Sequence, residues 1–459
     1  MKGGVLDRVR GRSLDDDEEG ESLKSPVGQK EEVRLKREVG LLSAVFLIVG
    51  TMIGSGIFIS PKGVLVRSGS VGASLIVWAG CGLISLFGAL CYAELGTSIP
   101  VSGAEYSYFL HVYGKKGRFG PVPAFLYMWM CSIIIKPAAV SIMLLTFSEY
   151  IVTPFFPTCS SPDIAKKLIA LAAIFFITFI NCYSVKLATR MNNFFTVAKL
   201  SAIAIVVLIG IYRFSTGHYE HINTGFAGTT TSFSDLATAF YFGLWAYDGW
   251  NNLNFVTEEL INASVRLSQG FANRMLGPVS FIIPILVAAS AYGASNGTAL
   301  IASRLPFVAA RQGHSIELMS YVQVKRLTPA PALIFNGMVV FLMISAGNIG
   351  SLIDFFSFVA WMFYGGTMFT VIVLRFTEKD LPRPYRVPTI IPLVMAVVAA
   401  YLVLAPIIED PRLEYFYALL FLCSGFLFYI PFVHFDIRLK MMKNFTHFVQ
   451  LAVNCAPQN

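Results

Sequence analysis

Two short stretches of this chain pair glycines with groups able to hold a small charged solute. Residues 50–58 read GTMIGSGIF, and residues 240–250 read FYFGLWAYDGW. A glycine costs a helix roughly 1 kcal/mol relative to alanine, so the two glycines flanking Ser55 favour unwinding within an apolar run. Backbone freed in this way cannot face lipid and has to line a cavity. Half-helix N–H groups there suit a carboxylate, and open carbonyls suit an ammonium, so the chemistry expected is non-covalent capture of a zwitterion. The competing reading of the GSG run is close helix packing through small residues. Asp248 adds a carboxylate that is costly at such depth unless it is paired or lines a polar cavity. It fits two roles: receiving the side-chain cation of a lysine or arginine solute, or pairing with an intramembrane lysine. Trp245, one turn earlier, suits a lid over a bound solute or ordinary aromatic packing.

Lys136 and Lys199 also lie in apolar runs, and each needs a partner, a cavity or a route to an interface. Lys136 lies near the outer half of its run and is expected to snorkel. Seven cysteines are scattered without CxxC spacing, so no metal site and no cofactor is expected. Cys159 is the one cysteine that falls in an external loop, which suggests an intermolecular disulfide, with a free thiol as the alternative. No phosphate loop, HExxH or nucleophile elbow occurs, so covalent catalysis is not expected.

The elements that must position these residues are membrane spans. The chain has 459 residues, 55% hydrophobic and 14% charged, with mean hydropathy +0.65. That balance excludes an ordinary soluble domain. About eleven apolar runs approach spanning length, near 41–66, 72–97, 122–147, 164–184, 190–212, 235–256, 279–302, 331–347, 349–374, 386–408 and 413–434. Residues 1–39 read as a disordered cytoplasmic tail, 40–435 as one transmembrane domain and 436–459 as a cytoplasmic C-terminal tail. The net charge of +8 sits in loops between apolar runs, where it speaks of orientation in a bilayer rather than of nucleic acid. Lys and Arg alternate sides correctly through six spans. Beyond Glu259 the rule fails: Arg304, Arg311, Lys325 and Arg326 would fall outside. One further crossing between Leu260 and Pro278 would return them inside, yet that stretch is too polar to supply it.

Further motifs join the two glycine stretches: ELGT from Glu94, SGAEY from Ser102, VTEEL from Val256 and KRLTPAP from Lys325. Together they resemble the light subunits of heteromeric amino acid transporters, in the amino acid–polyamine–organocation superfamily, over residues 36–445. The variant GLWAYDGW is most similar to the b-zero-plus type. The resemblance implies an all-α, LeuT-like fold of twelve spans in two inverted five-span repeats plus two. It implies sodium-independent exchange of cationic and neutral amino acids and cystine at the plasma membrane. Carried over by position, Met52, Ile53, Gly54, Ser55 and Gly56 hold the amino acid backbone, Trp245 closes over it, and Ala246 and Asp248 complete the binding set. Lys199 stands where sodium-coupled relatives bind an ion. Cys159 matches the cysteine that bridges to a single-pass heavy-chain glycoprotein. The chain departs from the family after Leu260, where segment 260–278 is short by roughly forty residues, a span of about 20 plus connections. A shortened chain that assembles without transporting is therefore the alternative expectation.

Overall fold

The computed structural model describes residues 54, 56–117, 119–156, 161–217, 224–255, 282–409, 411, 413–435, 437 and 440–457. These residues fall within one compact unit, Val33–Asn459. The helices are α1 Gly56–Ser68, α2 Val71–Ser98, α3 Glu105–Tyr113, α4 Val122–Phe155, α5 Asp163–Tyr183, α6 Val185–Ser215 and α7 Phe233–Tyr247. After a 3₁₀ turn, Asn252–Phe255, they continue as α8 Ile282–Ala302, α9 Arg304–Arg311, α10 Ala330–Ala346, α11 Ile349–Thr377, α12 Ile390–Glu409, α13 Leu413–His434 and α14 Lys440–Val453. Among the described residues the strands are two short ones, β1 Tyr321–Gln323 and β2 Cys455–Pro457, paired antiparallel with Val322 opposite Ala456.

Helix starts follow local chemistry. Ser70, Ser184, Ser232 and Asn348 each lend a side-chain oxygen to a backbone N–H three residues on, capping α2, α6, α7 and α11. Six helices, α2, α4, α6, α11, α12 and α13, are long and apolar enough to cross a bilayer. Helices α5 and α8, at 21 residues each, reach about 31 Å at 1.5 Å per residue, the thickness of a hydrocarbon core. The chain is an all-α polytopic membrane protein. Its centre is α4, buried on almost every side, with α8 packed along it. Helices α1 and α7, which carry the two glycine stretches, also pack on one another.

Contacts sort the helix ends onto two faces, named here for the ends of α2 and α1. On the Ser98 face, Tyr106 bonds His314 at 2.8 Å, Arg326 and Thr328 reach the carbonyls of Tyr183 and Cys182, and Arg375 pairs with Glu94. On the Ser68 face, Lys167 donates to the Ser345 carbonyl, Lys166 pairs with Glu149, and the N–H of Ser234 meets Glu409. Arg304, Arg311, Lys325 and Arg326 therefore share the Ser98 face with Lys115, Lys116 and Lys186. Helix α8 runs from the Ser68 face to the Ser98 face, antiparallel to α4, because Tyr292 meets Phe147 and Thr298 meets Met143. The 3₁₀ turn, by contrast, lies at the Ser98 face, where the Asn254 carbonyl accepts from the Ala104 N–H. Phe255 and Ile282, which flank residues 256–281, thus lie toward opposite faces. Segment 260–278 itself is outside the described residues.

The stretch read as a C-terminal tail contains α14 and β2. Through β2 it is tied to β1 on the Ser98 face, a pairing that no apolar periodicity announces in three-residue strands.

Candidate functional site

The centre of the site is the point where α7 stops. Tyr247 is its last helical residue. Asp248 leaves in an extended conformation, φ −64° and ψ 150°, and Gly249 follows at φ +111°, a region open to glycine and strained for any side chain. The break sits against the start of α1. A Cβ placed on Gly56 would lie 2.5 Å from the Ala246 Cα and 3.1 Å from the Trp245 ring, so only glycine fits there. The two glycine stretches thus meet backbone to backbone. Gly54 is buried just before α1, and its carbonyl accepts a 3.2 Å hydrogen bond from Ser290 of α8. Of the residues expected to hold a substrate backbone, Gly54 and Gly56 are placed at this meeting point with Trp245, Ala246 and Asp248. Met52, Ile53 and Ser55 lie outside the described residues.

Asp248 is half-buried. One carboxylate oxygen accepts from the Tyr364 hydroxyl at 3.0 Å, and the Gly249 N–H also reaches the carboxylate. The expectation that Lys136 snorkels is overturned. Lys136 is 6% exposed, and its ammonium donates to the Asn252 side chain at 3.0 Å and lies 4.4 Å from the centre of the Phe255 ring. The physical reason is its helix: α4 is enclosed by protein, so the side chain has no apolar–water boundary to climb toward. Lys136 and Asp248 act on one another electrostatically, but no direct ion pair joins them among the described residues.

Glu105, at the start of α3, is fully buried beside this pair. It accepts from Tyr92 at 2.6 Å, Tyr127 at 2.7 Å and Asn251 at 2.8 Å, all uncharged donors. With all three groups ionised, Asp248, Glu105 and Lys136 leave the cluster one negative charge in excess. A cation brought beside Asp248 would balance it. Trp250 closes the cluster, edge-on to Tyr92 at 4.8 Å and 5.0 Å from Tyr364. Trp245 lies above the break, 4.9 Å from Phe356 in an edge-to-face contact. Its buried indole N–H has no hydrogen-bond partner among the described residues, so a donor is held ready at the Gly56 junction.

Lys199 is fully buried on the stripe of α6 formed by Asn192, Thr196 and Ile203. That stripe also carries Ala188 and Phe195, which touch α8 at Asn296 and Gly293. Cys159 is outside the described residues; the helix ends flanking it, Phe155 and Asp163, lie on the Ser68 face.

Helix α11 bears an arginine–carboxylate latch near each end. On the Ser68 face Arg67 of α1 bonds Thr238 at 2.9 Å and reaches Asp354 at 3.4 Å. On the Ser98 face Glu94 takes the Arg375 guanidinium in a bidentate pair, accepts the Val387 N–H at 2.8 Å and lies 3.9 Å from Arg383. Nearby, burial pushes the His314 imidazole down to about 4, which keeps it neutral against Tyr106 near neutral pH.

Sequence reasoning did not name Glu105, Tyr92, Tyr127, Asn251, Asn252, Tyr364 or Ser290 as site residues. The two asparagines directly after Trp250 are the signal that was there to be used, since an apolar helix has no use for adjacent amides.

Known proteins resemble this chain along almost its whole length. The sequence model of the amino acid permease family matches residues 39–277 and 262–436, two segments that overlap between 262 and 277. The b(0,+)-type amino acid transporter 1 of Mus musculus is 43% identical over 92% of this chain and 94% of its own. The cystine/glutamate transporter of Homo sapiens is 40% identical over 84% and 83%. The large neutral amino acids transporter small subunit 2 of Oryctolagus cuniculus is 38% identical over 83% and 77%. The alignment with the mouse relative runs over 462 positions while using 92% of the 459-residue chain, so about forty positions face no residue here. The chain is a multi-pass amino acid transporter and not an enzyme; it belongs to the amino acid permease family, where it groups with the light subunits of heteromeric amino acid transporters.

Proposed function

We propose that the chain is a sodium-independent antiporter that exchanges cationic and neutral L-amino acids, with cystine as a further candidate, by alternating access at the Gly56–Ala246 junction. The observation that carries this reading is Asp248: a half-buried carboxylate at a helix break, with no ion-pair partner among the described residues and a second buried carboxylate, Glu105, beside it. Such a group favours a guanidinium or ammonium over an apolar side chain. The broken ends at Gly54 and Asp248 would take the carboxylate and ammonium that all amino acids share. Met52, Ile53 and Ser55 belong to the same proposed set. Lys199 would supply a fixed positive charge in place of a transported sodium ion. In the mouse relative's name, b(0,+) denotes a transporter type, and the likeness of GLWAYDGW points the same way. The Ser98 face, rich in Lys and Arg, is read as cytoplasmic, with the N-terminus on that side and the protein in the plasma membrane.

The test is uptake of labelled arginine into proteoliposomes containing this chain. Leucine-loaded vesicles should take up arginine several-fold faster than empty ones, with no change when external sodium is replaced by choline. Equal uptake by loaded and empty vesicles would remove the exchange mechanism.

A second reading rests on the segment around 256–281. The family match splits there, about forty positions of the relative have no counterpart, and the flanking residues lie toward opposite faces. These facts support a chain shortened by one span, which assembles with a heavy-chain glycoprotein without exchanging. No arginine uptake from correctly inserted protein, beside an active full-length relative, would favour it. In either reading Cys159 is proposed to form the disulfide to that partner. Cys159→Ser should abolish a reducible high-mass band on non-reducing gels of cells co-expressing a heavy chain, and an unchanged band would discard the bond.

A further inference from the structure

Helix α14 shows three different faces. Val449 and Val453 turn inward and pack on Leu318, Tyr321 and Cys455, and Thr446 is buried beside them. At 100° per residue the next sector holds Phe445, Phe448 and Ala452. Phe445 and Phe448 are 56% and 68% exposed. The sector beyond is polar by sequence, with Lys440, Lys443, Asn444, His447 and Gln450. Such an order, protein then apolar then polar, is what a helix needs at a corner where protein, bilayer and water meet.

Position and charge say what covers the apolar sector. Helix α14 is held at the Ser98 face through β2, and its neighbour in sequence is α13, whose outer side carries exposed Leu427, Phe428 and Ile430 facing the bilayer. Exposed Phe435 and Ile437 continue that apolar surface beyond the end of α13. No Asp or Glu occurs from 437 to 459, whereas Lys440 and Lys443 fall in the first turn of α14. A positive helix continuous with a lipid-facing span complements an anionic membrane surface.

We propose that α14 is a membrane-surface helix that seats Phe445 and Phe448 in the headgroup–acyl boundary and binds anionic lipid headgroups. The segment is therefore a lipid-sensing attachment of the β1–β2 corner. Its test does not depend on transport. The full chain carrying Phe448→Trp would be reconstituted in vesicles of phosphatidylcholine alone or mixed with phosphatidylserine, and its fluorescence compared with that of the unsubstituted chain. The added indole should be quenched by lipids brominated on their acyl chains at least about twofold more than by aqueous iodide, and more strongly with phosphatidylserine present. The pair Lys440→Gln and Lys443→Gln in the same background should erase the phosphatidylserine dependence and leave the bromolipid contact in part. An indole open to iodide and untouched by bromolipid in both membranes would overturn the proposal, as would one shielded from both, which marks burial against protein.

Discussion

Asp248→Asn is expected to weaken arginine binding about thirtyfold while changing leucine binding less than about threefold. The asparagine keeps the size of the side chain and can still accept from Tyr364, so the break in α7 should survive. What goes is one charge-assisted contact in a partly dry site, worth about 2 kcal/mol, and 1.4 kcal/mol is a factor of ten. The loss should appear in the concentration for half-maximal uptake before it appears in the maximal rate, because the contact is made in the bound state on either side of the membrane. Competition of unlabelled arginine and leucine against labelled leucine checks it. If both substrates lose equally, Asp248 is a structural partner of Lys136 and the cation-receptor role is wrong.

Glu94→Ala should do the greatest damage to the protein itself. Glu94 is 1% exposed and meets Arg375, Arg383 and the Val387 N–H. Removing it leaves a buried guanidinium without its counter-charge, which costs about 3–5 kcal/mol. The ends of α2 and α11 would then part on the Ser98 face. We expect the variant to lose most uptake and to unfold in detergent at clearly lower temperature. Arg375→Ala alone should behave similarly, and the double variant should recover stability, with a coupling of about 2 kcal/mol in the cycle. Strict additivity of the two changes would show that the pair does not hold the face closed.

The parts of this protein that were legible in its sequence are those governed by one-dimensional pattern. Apolar run length gave the spans, so α5 at 163–183 and α11 at 349–377 sit within a few residues of the runs that announced them. Glycine content marked the junction of α1 and α7, because Gly56 is required by a contact and Gly249 by its backbone angles. Lysine and arginine placement called for one further crossing between Leu260 and Pro278, a stretch that lies outside the described residues. What could not be read was anything decided by neighbours remote in the chain. Lys136 looks like a snorkelling lysine until α4 is seen enclosed by its neighbours, and the acceptor of its ammonium is 116 residues away. Glu105 appears in the sequence only as part of the SGAEY motif, since nothing local tells that Tyr92, Tyr127 and Asn251 converge on it. Residues 436–459 read as a cytoplasmic C-terminal tail because a three-residue strand carries no periodic signature.

Helix α4 contains a five-residue π-helical turn, Cys131–Ile135, immediately before Lys136. Such a turn stores one more residue than the regular helix would. Everything downstream of it is therefore rotated by about 100° relative to an uninterrupted α4. The aim of Lys136 at Asn252, and of the whole Lys136–Val152 half at α8, is set by that single surplus residue. A relative lacking one residue between 131 and 135 would close the turn into regular α-helix and leave every downstream side chain aimed as it is here, whereas these same residues wound as plain α-helix would swing Lys136 away from Asn252. The surplus residue is thus absorbed within a single turn, and each half of α4 keeps the face that its own neighbours need.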